Sequence, residues 1–148
     1  MREILFRAKT KGKPKGTLTN KPIKANMWVY GSYDCGAFCG YEIDMISDKK
    51  ETYAIVPETR GQYIGLTAKD VKIFEGDIGR YKQTDGVKEN GKPIICTGVV
   101  LYNEKTASFA VESKDEKGRK YFDYFPIKDF EVIGNVYDNP ELLKGGAE

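Results

Sequence analysis

Three groups of residues in this 148-residue chain are of types that do chemistry, and each also has a plainer use. Cys35 and Cys39 stand as Cys-x-x-x-Cys, and Cys96 is the third and last cysteine. Two thiols at that spacing could be half of a zinc site, but zinc takes about four ligands in a tetrahedral array. The chain has no histidine, so the remaining ligands would have to be Cys96 and a carboxylate. Packing as small apolar side chains is the simpler use of the thiols. Glu75 and Asp77, on either side of Gly76, resemble the paired acid and base of a hydrolase. Their place in a turn favours bonding to nearby backbone amides instead. Tyr121, Phe122, Tyr124 and Phe125, beside Arg119 and Lys120, offer rings for stacking and cations for phosphate. Alternate residues of a strand face opposite sides, so at most half of these rings can be exposed.

Composition narrows the classes. Without histidine the chain lacks the commonest general base and metal ligand, which points away from enzymes. No catalytic residue, cofactor or metal site is expected. The odd number of cysteines argues against a disulfide framework and for a reducing cytoplasm. No apolar run approaches the ~20 residues of a membrane span, and the N-terminus shows no secretory signal. Net charge is only +2, but it is unevenly placed: up to Trp28 the basic residues Arg2, Arg7, Lys9, Lys11, Lys13, Lys15, Lys21 and Lys24 face Glu3 alone. Lysines separated by Gly, Pro and Thr suit a solvated loop. The less common use of such a run is an arm that meets nucleic acid. For that second use the contact residues are Lys9, Lys11, Lys13, Lys15, Arg119, Lys120 and Tyr121.

The elements that must position these residues are strands. Alternation predicts a strand over Glu3–Lys9, with Ile4, Phe6 and Ala8 on one face. A Gly/Pro-rich loop follows over Thr10–Lys24. A second strand is expected over Met27–Tyr30, ended by Gly31, with a turn at Asp34-Cys35-Gly36. Phe38–Met45 and Thr52–Val56 read as strands around a turn at Ser47–Lys50, the last closed by Pro57. Gly61–Ile78 joins two halves. Gly61 and Gly65 bracket Tyr63, Ile73 and Phe74 end a short apolar element, and Glu75-Gly76-Asp77 turns the chain. The stretch lacks the G-x-x-x-x-G-K-[ST] spacing of a phosphate cradle.

The second half is clearer. Strands are predicted over Asp77–Gln83, Ile94–Tyr102, Thr106–Glu112, Lys120–Phe125 and Glu131–Tyr137. A proline-led 3₁₀ turn is predicted at Pro126–Phe130. Five short strands with one such turn before the fifth is the plan of an SH3-like barrel, whose closure removes exposed edges. Asn139 and Pro140 read as the N-cap and first residue of a last turn, whose Leu142 and Leu143 dock on the body. The fold class is therefore mainly β (β-rich α+β). Residues 1–60 form an N-terminal strand-rich subdomain, 61–76 a junction, 77–137 an SH3-like barrel and 138–148 a C-terminal tail.

Five blocks carry a resemblance. They are Arg2–Arg7 (REILFR), Trp28–Gly31 (WVYG), Thr59–Leu66 (TRGQYIGL), Ile73–Ile78 (IFEGDI) and Val132–Leu143 (VIGNVYDNPELL). In that order, and over nearly the whole chain, they resemble the YopX family of small bacteriophage and prophage proteins. Thr67–Lys72 is shorter than the family's usual turn and lacks its glycine, and Phe74 stands where tyrosine is common. The resemblance implies a β-rich fold with an SH3-like C-terminal part, and no particular activity. The expected function is a non-enzymatic, phage-type interaction protein in the cytoplasm of a bacterial host. Its partner would be another protein, with no membrane involved, and copies of the chain could share strand edges. The alternatives are a nucleic-acid-binding accessory factor and, third, a carboxylate-dependent hydrolase.

Overall fold

A computed structural model describes residues 3–12, 24–38, 41–83, 88–89 and 91–144. Strand dominates, and among the described residues helix is confined to two single 3₁₀ turns. The chain divides into two compact units, Met1–Tyr63 and Ile64–Glu148.

In the first unit β1 (Phe6–Lys11), β2 (Ala25–Phe38), β3 (Tyr41–Ser47) and β4 (Thr52–Ala54) form an antiparallel sheet in the order β4-β3-β2-β1. The first residues of β5 (Gly61–Ala68) lie beside β1, with Phe6 opposite Gln62. Period-two alternation sets Ala8 and Val29, which pair across β1 and β2, on the face that also carries Phe6. Ala8, Val29, Ile46 and Ile55 are the buried core, with Phe6, Tyr33 and Tyr53 packed around it. β1 begins later than its alternation predicts, and Ile4 stays exposed.

Further expectations in this unit are corrected: Phe38 is not the start of a strand to Met45 but the end of β2, where it pairs with Tyr41 of β3. Gly31 does not end a strand, and Asp34-Cys35-Gly36 is not a turn: β2 runs through both. A Cβ on Gly31 would lie 2.0 Å from the carbonyl oxygen of Ser47, so the glycine permits a close approach of two main chains. Beyond it, Asp34, Cys35 and Gly36 pair with Met45, Asp44 and Ile43, so the ladder meets their backbone needs and nothing is left to drive a turn. A 3₁₀ turn at Pro57–Thr59 then leads into β5.

The second unit opens with the remainder of β5, which forms a hairpin with β6 (Val71–Phe74). The hairpin turns at Lys69 and Asp70, both left-handed at φ 49° and 67°, as a type I′ turn requires. After β7 (Asp77–Lys82), a two-residue ladder of β8 (Lys88–Glu89) and β9 (Lys92–Pro93) precedes β10 (Ile95–Asn103), β11 (Ser108–Asp115), β12 (Lys120–Tyr124) and β13 (Glu131–Asn135). The large sheet has the order β12-β11-β10-β7-β13. Its core is Ile64, Ala68, Ile73, Tyr81, Cys96, Val100, Val111 and Phe130. Each fully buried aliphatic side chain here contributes about 1.5–3 kcal/mol.

The expected closure into a barrel is not made by hydrogen bonding among the described residues: there β12 and β13 are the two edges of an open sheet. Residues 126–130 are not a 3₁₀ turn, and they carry Phe130 down onto the sheet. A Cβ on Gly79 would lie 1.9 Å from the Phe130 ring, so the ring rests on bare main chain. The final 3₁₀ turn, Pro140–Leu143, begins at its predicted N-cap and proline. Asn139 does not cap it with its side chain, which instead accepts the Asn135 amide at 3.3 Å. Leu142 and Leu143 are half-buried.

Candidate interaction surface

The inward face of the second unit's sheet carries polar groups that satisfy one another. Tyr81 and Cys96 face each other across β7 and β10, and Cys96 faces Asp115 on β11. The Tyr81 hydroxyl is 2.7 Å from Ser113 Oγ and donates to Asp123 Oδ2 at 2.5 Å. Gln83 Nε2 donates to the same carboxylate oxygen at 2.9 Å and to Cys96 Sγ at 3.3 Å. Burial, and then the bond to Asp123, push the Tyr81 hydroxyl far above the usual phenol range. Burial likewise raises the Cys96 thiol, so it stays protonated and behaves as a small apolar group.

Asp115 ends β11 as the hub of the next turn. Its Oδ1 accepts the Lys117 and Arg119 amides, each at 2.9 Å. Its Oδ2 accepts Arg119 Nε at 2.6 Å and the Tyr121 hydroxyl at 2.9 Å. Burial works against the charge, yet these donors outweigh it and hold the carboxyl at about 2. Asp77 is similarly committed: it is buried, and its Oδ2 accepts the Phe74 amide at 2.8 Å across the turn. Among the described residues, no group of three His, Cys, Asp or Glu side chains could hold a metal ion. Cys35 is exposed, and Cys39 lies outside the described residues.

The outward face differs. Lys120, Phe122 and Tyr124 project from β12 on the side opposite Tyr121 and Asp123, and all three are exposed. The Phe122 and Tyr124 rings are 44% and 46% exposed and meet edge to face at 5.3 Å. Asn103 Nδ2 donates to the Tyr124 hydroxyl at 3.2 Å. These rings sit on an edge strand.

The residues singled out for nucleic acid fall in both units. Lys9 is 8% exposed and its ammonium lies 5.4 Å from the centre of the Trp28 ring, which Arg7 also approaches at 4.8 Å. Lys11 is exposed at the end of β1. Lys13 and Lys15 lie outside the described residues. Arg119 and Tyr121 are engaged by Asp115, and Lys120 stands beside Phe122 on the open face. Phe122 and Tyr124, rather than Tyr121, are the exposed rings. The signal for this was the parity of Lys120: a lysine that faces water takes its i+2 and i+4 neighbours with it. Nothing in the sequence singles out Asp123 as the partner of Tyr81.

These features define a small, mainly β protein of two antiparallel units, the second with a network of bonded polar groups on its inward face and an aromatic edge facing outward. The family model described as YopX protein matches residues 18–144, most of the chain, and the chain belongs to the YopX family. No curated protein and no solved structure gives a significant match. Among the described residues, no helix is long and apolar enough to cross a membrane.

Proposed function

We propose that the protein is a non-enzymatic binding module which meets another polypeptide along β12, as a phage or prophage product working in the cytoplasm of its bacterial host. The observation that carries this reading is the exposed Phe122–Tyr124 pair on an edge strand. A soluble β protein ordinarily blunts such an edge with charge, proline or a covering loop. Exposed aromatic rings beside unpaired strand backbone suit strand addition, in which main-chain bonds supply affinity and alternate side chains supply selectivity. The carboxylate-dependent hydrolase, which would use Glu75 or Asp77, is supported poorly, since Asp77 is buried and bound to the Phe74 amide. The nucleic-acid reading is the second one: of its residues Lys9 lies against the Trp28 ring and Arg119 is bonded to Asp115, while Lys11 and Lys120 are exposed.

The test is affinity capture from host cells with the full-length wild type and a Phe122→Lys/Tyr124→Lys variant, run beside a turnover screen over common substrate classes. Polypeptides retained by the wild type should be lost with the variant, whose near-ultraviolet circular dichroism should stay close to the parent's. Retention unchanged by the double substitution, or turnover by the purified protein, defeats the reading.

A further inference from the structure

The edge strand is its own complement. Phe125 donates its amide to Phe109, and Asp115 donates to Arg119, so the residues of β12 that share Phe125's parity turn their backbone toward β11. In an antiparallel ladder the hydrogen-bonding positions alternate. The N–H and C=O groups of Lys120, Phe122 and Tyr124 therefore point away from the sheet, along an edge where no strand pairs with β12 among the described residues. The same three residues carry the exposed side chains.

Resting on the reading of β12 as the binding edge, we propose that its occupant is β12 of a second copy, added antiparallel about a two-fold axis at Phe122. This register pairs the whole of Lys120–Tyr124 with itself and uses all three outward-facing residues of each strand, giving roughly six backbone hydrogen bonds. On the outer face Phe122 meets Phe122 of the second copy, and Lys120 meets Tyr124 of the second copy. The first is an aromatic pair and the second a cation against a ring, both favourable cross-strand contacts. On the inner face Tyr121 stands opposite Asp123 of the second copy. No like charges face each other. Moving the axis by one residue, onto Asp123, would set two carboxylates opposite one another and leave Lys120 unpaired. Within one copy Lys120 lies across from Lys114, a like-charge neighbour on the same face, so an incoming tyrosine ring improves its surroundings. An interface built mainly on one strand is small, and the dimer is expected to form at about 1–100 µM.

The experiment is sedimentation velocity on the full chain over that range, joined to cysteine cross-linking in a Cys35→Ser/Cys39→Ser background. The wild type should show a concentration-dependent dimer, and Phe122→Lys, which brings two ammonium groups together on the axis, should raise the dissociation constant at least tenfold. Phe122→Cys should be cross-linked to itself by a short bismaleimide, because hydrogen-bonded partners lie about 5.5 Å apart. Tyr124→Cys should not be, since its symmetry mate is about 14 Å along the strand, but a mixture of Tyr124→Cys and Lys120→Cys chains should be. A monomer throughout the range overturns self-pairing and leaves the binding edge to a different polypeptide, which the capture experiment detects on its own. A dimer unaffected by Phe122→Lys, or one in which Tyr124→Cys links to itself, overturns the proposed register and places the contact elsewhere.

Discussion

The hydroxyl of Tyr81 reaches Asp123 at 2.5 Å, tying β7 to β12, two strands that never pair in the sheet. The same hydroxyl also meets Ser113, so one side chain links three strands through the buried face. Tyr81→Phe keeps the ring and removes the link, leaving Asp123 and Ser113 each short of a partner. It should cost about 1–3 kcal/mol in chemical denaturation. The substitution should also soften the alkaline limb. Tyr81 is raised in the folded state, so the unfolded chain loses its phenolic proton first. The stabilisation is intact below pH 10.0, the ordinary value, and is lost as pH rises beyond it. Tyr33, Tyr53 and Tyr121 are raised too, so Tyr81→Phe should lessen the fall without abolishing it.

Asp115 sets the acid limb. Its carboxyl is held at about 2 against an ordinary 3.8, so its contribution is full above pH 4 and is lost as pH falls through that interval. Asp115→Asn should lower the denaturation midpoint at neutral pH, because Arg119 and Tyr121 lose a charged acceptor. It should also flatten the loss of stability between those two pH values. Asp44 and Asp48 are lowered as well, the first by bonds to Cys35 and Tyr33 and the second by the Lys50 and Glu51 amides, so part of the acid limb should survive. Midpoints measured across the acid range for both proteins decide it. An unchanged slope in Asp115→Asn would remove the carboxylate from this role.

How far the sequence revealed all this depends on the kind of signal. The five strands of the large sheet were legible because turn residues and period-two alternation agree there, as with Glu75-Gly76-Asp77 before β7, whereas the β5–β6 hairpin lay inside what read as a junction and the β8–β9 ladder inside what read as a loop. Gly31 misled because glycine in a strand usually punctuates it, and here it marks a close crossing with Ser47 that depends on a distant residue. The seat of Phe130 on Gly79 was not legible either, because it joins residues far apart in the sequence. Alternation separated Tyr121 from Phe122 but could not say which set faced water. Lys120 held that information, and Asp115, whose bond draws Tyr121 inward, decided it.

Gly79 offers a direct check on the packing of the second unit. Gly79→Ala should destabilise by about 1–3 kcal/mol or more, since the added methyl would collide with the Phe130 ring, 1.9 Å from the Cβ position. Phe130→Leu should recover part of that loss when combined with Gly79→Ala, although it costs stability alone. A double-mutant cycle by denaturant titration reads the coupling. Additive effects would mean that the ring does not lie over that glycine.

Trp28 reports on the first unit. It is the chain's one tryptophan, and it lies over the guanidinium of Arg7 and the ammonium of Lys9, both on buried residues. A ring near a partly desolvated cation contributes about 0.5–2 kcal/mol. Trp28→Leu keeps an apolar cover but removes the ring's negative face from both cations, and it should cost about 1–3 kcal/mol. Trp28→Phe, whose ring binds cations less well than indole, should fall between the wild type and the leucine variant. Because these variants lose the fluorescent reporter, their stability is best followed by far-ultraviolet circular dichroism. With Trp28 kept, the fluorescence transition should shift on Arg7→Met or Lys9→Met. If the phenylalanine and leucine variants prove equally stable, the ring is acting through its apolar area alone.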